Sequence, residues 1–288
     1  MSRRADPKTK PGALWREGPP MIGGWDCHAH LFGPYERYPL AADRSYTPPE
    51  ASAPEYLALL GRLGLSHGVL VHPSAYGDDF SLLFDALAEH EQLRGVIVLR
   101  AGTLPKLQGL RDRRIRAARF SHRSAAGANF AGSASLADLL ALAPALADAG
   151  LHAELWTDCQ ALPDIAGRLR DLPVPLVIDH MGGFDVAGGV DDPGFRCLLD
   201  LLASGRVWVK LCAYRNLLNA ADFELGRPFH EALLQANPQR LLWGSDWPHL
   251  RVTPVPDAAE LLETFRRWTD DYALISQILV AGPATLYL

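Results

Sequence analysis

The sequence predicts one α/β domain in which eight parallel strands alternate with helices around a (β/α)8 barrel. Eight short runs rich in Val, Ile and Leu recur along the chain, and amphipathic stretches with helical spacing separate them. The length of 288 residues agrees, because such barrels commonly occupy about 250 residues as one unit. An open doubly wound sheet is the alternative, although no Gly-x-Gly-x-x-Gly turn follows the first run.

The strands are predicted from the apolar runs. Each run has the length of one strand, and its continuous apolar character is typical of strands buried on both faces, as a parallel sheet requires. The predicted strands are residues 24–30, 68–74, 94–100, 115–120, 151–157, 175–180, 207–212 and 241–246.

Helical spacing and end signals lie between these runs. Pro54 begins the first helix and Gly64 ends it, while Phe80 and Leu87 bound the apolar stripe of the second. Ser135 and Asp138 have capping-box spacing before a third helix that Gly150 ends, and Pro144 inside it predicts a kink or a restart. Further helices are predicted at residues 162–169, 195–202, 229–236, 258–268 and 272–280.

Two segments are longer than ordinary loops between a strand and the next helix. They are residues 31–53, after the first strand, and residues 121–134, after the fourth strand. Loops that follow strands lie on the face of a barrel where the strands end, and this face carries the active sites of barrel enzymes. We therefore expect a distorted TIM barrel with two long loops beside its active site.

Composition narrows the possible partners and compartments. The net charge of −5 argues against nucleic-acid binding, and no apolar run reaches the roughly 18 residues needed to span a membrane. Residues 1–20 are rich in Pro, Lys and Arg without an apolar core, so we expect a flexible tail before a single domain at residues 21–288. Four scattered cysteines predict reduced thiols and a cytoplasmic protein, and an oligomer is possible.

Reactive side chains cluster at the predicted strand ends. Successive strand residues point to opposite faces, so His28 and His30 are expected on one side of the first strand. The other strand ends supply His72, Ser74, Arg119, His180, Lys210, Arg215, Asp246 and His249. Each has an ordinary structural interpretation: Asp246 could cap a helix, and Arg119 or Arg215 could form structural ion pairs. Asp179 is expected to be structural, because it would face away from His180. Together the set predicts acid–base or metal-assisted chemistry on a small anionic substrate.

Five motifs give the chain its resemblance to a known family. They are Asp-Cys-His-Ala-His-Leu-Phe-Gly-Pro at residues 26–34, Arg-Ser-Tyr-Thr-Pro at 44–48, Arg119-Phe120, Val-Ile-Asp-His-Met-Gly at 177–182, and Leu-Trp-Gly-Ser-Asp-Trp-Pro-His at 242–249. In this order they resemble the amidohydrolase superfamily, and the chain is similar over nearly its whole length to the 2-pyrone-4,6-dicarboxylate lactonase branch. Related branches act on muconolactones and sugar lactones.

This resemblance implies hydrolysis of a lactone that carries carboxylates. His28, His30 and His180 would polarise the ring carbonyl, and Asp246 would take a proton from the attacking water. The implied substrate-binding residues are Arg119, Arg215, Tyr46, Arg123, Ser74 and Trp156. Arg123 stands in for the second arginine of that branch, and Trp156 replaces its strand 5 tyrosine. The imidazole and guanidinium roles agree with the charge that develops on a carbonyl oxygen under attack and with the geometry of carboxylate binding.

The same residues leave the metal requirement open. A two-metal centre in this superfamily needs a lysine or glutamate from strand 4 and a histidine from strand 5, whereas this chain offers Arg119 and then Glu154 and Trp156. The resemblance implies that no metal is required. The alternative is one Zn²⁺ or another divalent ion on His28, His30, Asp246 and His180. A metal-dependent decarboxylase and a non-catalytic metabolite-binding barrel are the competing functions.

Overall fold

The computed structural model describes residues 22–101, 107–124, 130–218 and 222–288. The predicted tail at residues 1–20 and part of the second long loop lie outside this range. Eight strands form one sheet in sequence order, and each pairs in parallel with the next. They are β1 (Trp25–Ala29), β2 (His67–Val71), β3 (Leu93–Val98), β4 (Ile115–His122), β5 (His152–Thr157), β6 (Leu176–Ile178), β7 (Val207–Leu211) and β8 (Leu241–Trp243). The predicted barrel is confirmed.

The first and last strands close the barrel through residues at their carboxyl ends. The backbone N–H of Asp246 donates to the carbonyl of His28, and that of His30 donates to the carbonyl of Trp247, both at 2.8 Å. Asp26 accepts hydrogen bonds from the backbone N–H of Ser245 at 2.8 Å and from its hydroxyl at 2.6 Å. We call this set of bonds the β1–β8 seam.

Helices connect most of the strands and pack on the outside of the barrel, whereas the described residues between β3 and β4 contain no helix. They are α1 (Ala53–Leu63), α2 (Ser81–Glu89), α3 (Leu136–Asp148), α4 (Leu162–Arg170), α5 (Pro193–Ala203), α6 (Arg227–Ala236), α7 (Ala258–Thr269), α8 (Tyr272–Ser276) and α9 (Gly282–Tyr287). The capping box of Ser135 and Asp138 begins α3 as predicted. Of the kink or restart predicted at Pro144, the restart is wrong, because α3 runs through Pro144 without a break, and the kink stays a prediction.

Two apolar layers hold the fold together. The larger layer lies between the strands and the surrounding helices, and it includes Leu139 of α3 and Leu198 of α5. The smaller layer fills the barrel interior and includes Trp25, Trp208 and Tyr287. Tyr287, at the end of α9, is fully buried there, and its hydroxyl donates to Glu154 at 2.8 Å. The end of α9 therefore seals the interior of the barrel.

The long loop after β1 is fixed in place by its own small apolar cluster. Phe32 and Ala51 pair through two backbone hydrogen bonds of 2.8 Å, and Phe32 packs with Tyr38 and Tyr76. The Gly33 N–H also donates to the Tyr76 hydroxyl at 2.7 Å. This packing holds the loop beside the strand ends. Among the described helices, none has both the length and the apolar character needed to cross a membrane.

Candidate active site

His28 and His30 lie on the same side of the barrel, as the sequence predicts. Their ring centroids are 5.0 Å apart, and a register shift between Asp26 and Ala29 marks an irregularity in β1 at this point. His30 Nδ1 lies 2.7 Å from the Val71 carbonyl, which can only accept, so Nδ1 carries the hydrogen. A neutral His30 therefore presents the lone pair of Nε2 to its other neighbours.

Asp246 faces these imidazoles from the other side of the β1–β8 seam. Its Oδ1 lies 3.2 Å from His30 Nε2 and 3.7 Å from His28 Nε2. Its Oδ2 accepts from the Tyr214 hydroxyl at 2.6 Å and from Arg215 Nε. One carboxylate oxygen is thus held by donors, and the other is buried without a well-formed hydrogen bond. A lone pair on His30 Nε2 and one on Oδ1 would repel, so the gap between them suits a proton or a cation.

His180 and Asp246 share an unusual backbone conformation. Their φ angles are 50° and 60°, in the left-handed region that non-glycine residues seldom adopt. Each such residue costs on the order of 1–2 kcal/mol, and such strain concentrates at functional sites. The His180 ring lies 4.8 Å from the His28 ring. Two of the predicted site residues therefore carry backbone strain, and the nearby Met181, His249 and Arg251 share this conformation.

Asp179 belongs to the site more closely than the sequence suggests. Its Oδ2 accepts from Arg119 Nε at 2.8 Å, and its Oδ1 lies 3.4 Å from His28 Nδ1 and 3.2 Å from Lys210 Nζ. The expectation that strand alternation carries it away from His180 does not apply, because β6 already ends at Ile178. The chain then turns, and Asp179 points into the barrel.

A cavity of about 140 Å³ opens above these groups at the carboxyl ends of the strands. Its lining brings together most of the predicted site residues with others that the sequence did not indicate: His30, Ser45, Tyr46, Pro73, Ser74, Arg119, Phe130, Trp156, His180, Arg215, Asp246, Leu250 and Arg251. His28 lies directly beneath, because its Nε2 faces Asp246. Arg123 is not part of the lining: its guanidinium lies over the Trp156 ring at 4.8 Å and pairs with Asp158 at 3.6 Å.

The two arginines in the lining are oriented by buried carboxylates. Arg119 uses Nε to bind Asp179 and lies 5.4 Å from the Trp156 ring, and Arg215 uses Nε to bind Asp246. Each bond through Nε leaves outer N–H groups of the guanidinium for other acceptors, and Arg215 Nη1 donates to the Leu250 carbonyl at 3.4 Å. The cavity therefore has two preorganised cationic groups, which favours an anionic ligand.

Burial and charge set the protonation of the site. Burial, reinforced by the Lys210 ammonium, lowers the pKa of His28 to about 4, so this imidazole is neutral at pH 7. Burial would raise the pKa of Asp246, but Arg215 and His180 outweigh it and hold that pKa well below its usual value. The site at neutral pH therefore combines a carboxylate with a neutral His28.

Two buried residues that the sequence did not assign, Lys210 and Glu154, lie beneath the histidines. Lys210 Nζ donates to Glu154 Oε2 at 2.6 Å and lies 3.2 Å from His28 Nδ1, and both side chains are fully buried. The sequence features that could have indicated this ion pair are one lysine in the apolar run Val-Trp-Val-Lys-Leu and one glutamate in His-Ala-Glu-Leu-Trp. A charge in a doubly buried strand needs a partner, so two opposite charges on two such strands indicate a pair.

The donor atoms on this face have a spacing that one divalent ion would accept. One ligand atom from each of His28, His30 and Asp246 lies within 4.8 Å of the other two. Asp246 Oδ1 is 3.2 Å from His30 Nε2 and 3.7 Å from His28 Nε2. Bond lengths of about 2.0–2.1 Å around a tetrahedral zinc place its ligand atoms about 3.3 Å apart. The buried, unpaired Oδ1 of Asp246 adds to this fit. These residues could therefore hold a metal.

His28, His30, His180 and Asp246 lie close together at the carboxyl ends of the strands of a (β/α)8 barrel. The sequence profile of a family described as amidohydrolase matches residues 25–288, and the chain belongs to this family.

Two curated relatives are similar over most of their length. The chain is 36% identical over 284 residues to a 4-sulfomuconolactone hydrolase of Rhizobium radiobacter, covering 92% of this chain and 90% of the relative. It is 30% identical over 278 residues to a 2-pyrone-4,6-dicarboxylate hydrolase of Comamonas testosteroni, with 92% and 90% covered.

Solved structures share the fold. A protein from Pseudomonas putida described as a 2-pyrone-4,6-dicarboxylic acid hydrolase superimposes with a TM-score of 0.78 at 28% identity, covering 92% of this chain and 97% of the other. An amidohydrolase from Burkholderia multivorans, whose structure contains zinc, superimposes with a TM-score of 0.68 at 22% identity, covering 92% and 98%.

Proposed function

We propose that the protein hydrolyses a lactone that carries at least two anionic groups, such as carboxylates or a sulfonate. One observation carries the proposal: Asp246 Oδ1 faces the cavity edge beside two imidazoles, while Arg119 and Arg215 present cationic groups to the same cavity. The relatives named above are lactone hydrolases, which favours this reaction over decarboxylation and over a binding barrel without catalysis.

Asp246 would act as the general base. Its Oδ2 is held by Tyr214 and Arg215, so Oδ1 is the oxygen that would take a proton from an attacking water. The water oxygen would bond to the lactone carbonyl carbon as its proton moves to Oδ1, and His30 Nε2, at 3.2 Å, can share that proton. A substrate anion on Arg215 would compete with Asp246 for this cation and make the carboxylate a stronger base.

His28 and His180 would stabilise the negative charge that develops on the carbonyl oxygen. Both rings are buried, and their centroids lie 4.8 Å apart. A hydrogen-bond donor directed at this oxygen lowers the activation barrier by a few kcal/mol, because a buried site contains little water to screen the negative charge. When the ring C–O bond breaks, the leaving oxygen takes the proton that Asp246 gained, and the new carboxylic acid releases one proton at neutral pH.

Arg119 and Arg215 would hold the anionic groups of the substrate, and Trp156, Tyr46 and Ser74 would complete the cavity wall. Arg119 lies within β4 and Arg215 follows β7, so the two guanidiniums approach the ligand from different parts of the barrel mouth. Arg123 would contribute through its position over Trp156 and not by direct contact within the cavity.

We propose that this reaction needs no metal. Arg119 on β4 is bound to Asp179 and Glu154 on β5 is bound to Lys210, which argues against a two-metal centre, and the steps described above use protein groups alone. If a single ion were bound, His28, His30 and Asp246 would hold it, with His180 adjacent, and it would supply Lewis acidity to the carbonyl. The residue roles described above would otherwise stay the same.

A lactone panel tests the proposal by proton release. The panel should contain 4-sulfomuconolactone, 2-pyrone-4,6-dicarboxylate and other lactones with carboxylates, with uncharged δ-valerolactone as the matched control. We expect turnover of at least one dianionic lactone, with kcat/KM at least a hundredfold above that of the uncharged ring. Folded protein that turns over none of the anionic lactones, before or after addition of divalent metal, would refute the function.

A further inference from the structure

The buried Lys210 ammonium donates to Glu154, lies within hydrogen-bond distance of His28 Nδ1 and forms an ion pair with Asp179. Nζ lies 2.6 Å from Glu154 Oε2, 3.2 Å from Asp179 Oδ1 and 3.2 Å from His28 Nδ1, and all four side chains are fully buried. Burial would lower the pKa of Lys210, but Asp179 and Glu154 outweigh it and raise that pKa, so the group stays protonated. A buried N–H without a partner is costly, which favours using all three protons.

His28 Nδ1 lies between one group that can only donate a hydrogen bond and one group that can only accept one. Lys210 at 3.2 Å can only donate, and Asp179 Oδ1 at 3.4 Å can only accept. Asp179 has other donors, because Arg119 binds its Oδ2 at 2.8 Å and Lys210 approaches its Oδ1. If Nδ1 carried a hydrogen, that hydrogen would oppose the third ammonium proton in a dry interior. A bare Nδ1 accepts the hydrogen bond from Lys210, and Asp179 Oδ1 keeps its ion pair with Lys210.

We propose that Lys210 is a positioning residue that fixes His28 in the tautomer with its hydrogen on Nε2. His28 then offers a hydrogen-bond donor to a substrate carbonyl, whereas a metal would need the lone pair of that same nitrogen. His30 is fixed in the opposite way, because the Val71 carbonyl holds the hydrogen on Nδ1. One imidazole therefore donates towards Asp246 and the cavity, and the other accepts.

This inference rests on the proposed function for its catalytic meaning, but its test needs no substrate. Protein labelled with ¹⁵N in histidine and dialysed against a chelator is examined by long-range ¹H–¹⁵N correlation NMR, which distinguishes a protonated ring nitrogen from a bare one. The His28 signals are assigned by their loss in His28→Gln. We expect a protonated Nε2 and a bare Nδ1 in the unaltered protein.

A double variant and a matched control test the cause. Lys210→Met with Glu154→Gln removes one positive and one negative charge together, and Glu154→Gln alone keeps the Lys210–His28 contact. We expect the control to retain the Nε2–H tautomer. The double variant should move the hydrogen to Nδ1, facing Asp179, and should bind zinc at least tenfold more tightly than the control in a competition with a chelator dye.

Two results would overturn the inference. The first is a bare Nε2 on His28 in the unaltered protein, which is decisive even if the double variant does not fold. The second is the same His28 tautomer in the folded double variant and in its control. Neither result depends on lactone turnover, so failure of the inference and failure of the proposed function are distinguishable.

Discussion

Asp246→Asn separates the role of the carboxylate from its contribution to the fold. The amide oxygen can take the place of Oδ2 and keep the bonds from Tyr214 and Arg215. The amide nitrogen then replaces Oδ1, 3.2 Å from His30 Nε2, where it can donate but cannot accept a proton from water. The substitution therefore removes the base while leaving the surrounding structure in place.

The expected loss follows from what a positioned base contributes. General-base catalysis is worth about 10²- to 10⁴-fold, or about 3–5 kcal/mol of barrier. We expect kcat to fall by that factor on the best lactone of the panel, with KM changed by less than about tenfold because Arg119 and Arg215 remain. The rate of the variant should rise with hydroxide above pH 8, since hydroxide does not need the base.

Tyr214→Phe is the matched control for this experiment. It removes one of the two bonds to Oδ2 but leaves the carboxylate, so kcat should stay within about tenfold of the unaltered protein. Circular dichroism and thermal unfolding check that both variants fold. A folded Asp246→Asn variant with kcat within tenfold of the unaltered protein would refute Asp246 as the base.

Three further changes test binding, acid stability and packing. Arg119→Lys keeps the positive charge but removes the two parallel N–H donors of the guanidinium, so steady-state kinetics should show KM raised by about 10- to 100-fold. An unchanged KM would contradict a contact between Arg119 and the substrate anion. Burial lowers the pKa of His230 to about 3, so the folded state stays neutral while the unfolded state gains a proton below pH 6.5 and stability falls as pH drops. Urea unfolding of His230→Gln should lose about 2 kcal/mol less than the unaltered protein between pH 7 and pH 5, and equal losses would contradict this. Gly244→Ala places a Cβ 2.7 Å from that of His28, so calorimetry should show about 1–3 kcal/mol of destabilisation and assays a lower kcat, whereas Gly61→Ala, which meets nothing within 4 Å, should be neutral or stabilising.

The strands and helices could be predicted because local chemistry determines them. Each apolar run is long enough for one doubly buried strand, and residues such as Pro54, Gly64 and Ser135 mark helix ends by their backbone or hydrogen-bonding preferences. The convergence of His28, His180 and Asp246 then follows from the barrel, because the carboxyl ends of all its strands meet on one face.

The connections beneath the site could not be predicted in this way. Strand periodicity says which face a residue occupies, but not which charge it meets across the barrel, so the Lys210–Glu154 pair stayed unassigned. Asp179 was misjudged because its position depends on where β6 ends, and element ends are the least certain part of a sequence prediction. Arg123 lies over Trp156 and pairs with Asp158. This contact joins the residues that follow two different strands, and the spacing of residues along the sequence does not predict it.

The β1–β8 seam makes completion of the fold and assembly of the active site a single event. It joins Asp26 to Ser245, which are 219 positions apart, and the bonds on either side of them carry His28, His30 and Asp246. Contacts of such long sequence separation carry a high loop-closure cost during folding. A chain whose helices have formed but whose last strand has not yet paired with the first would have no activity in a lactone assay. The rate at which turnover recovers during refolding would therefore measure the rate at which the last strand docks against the first.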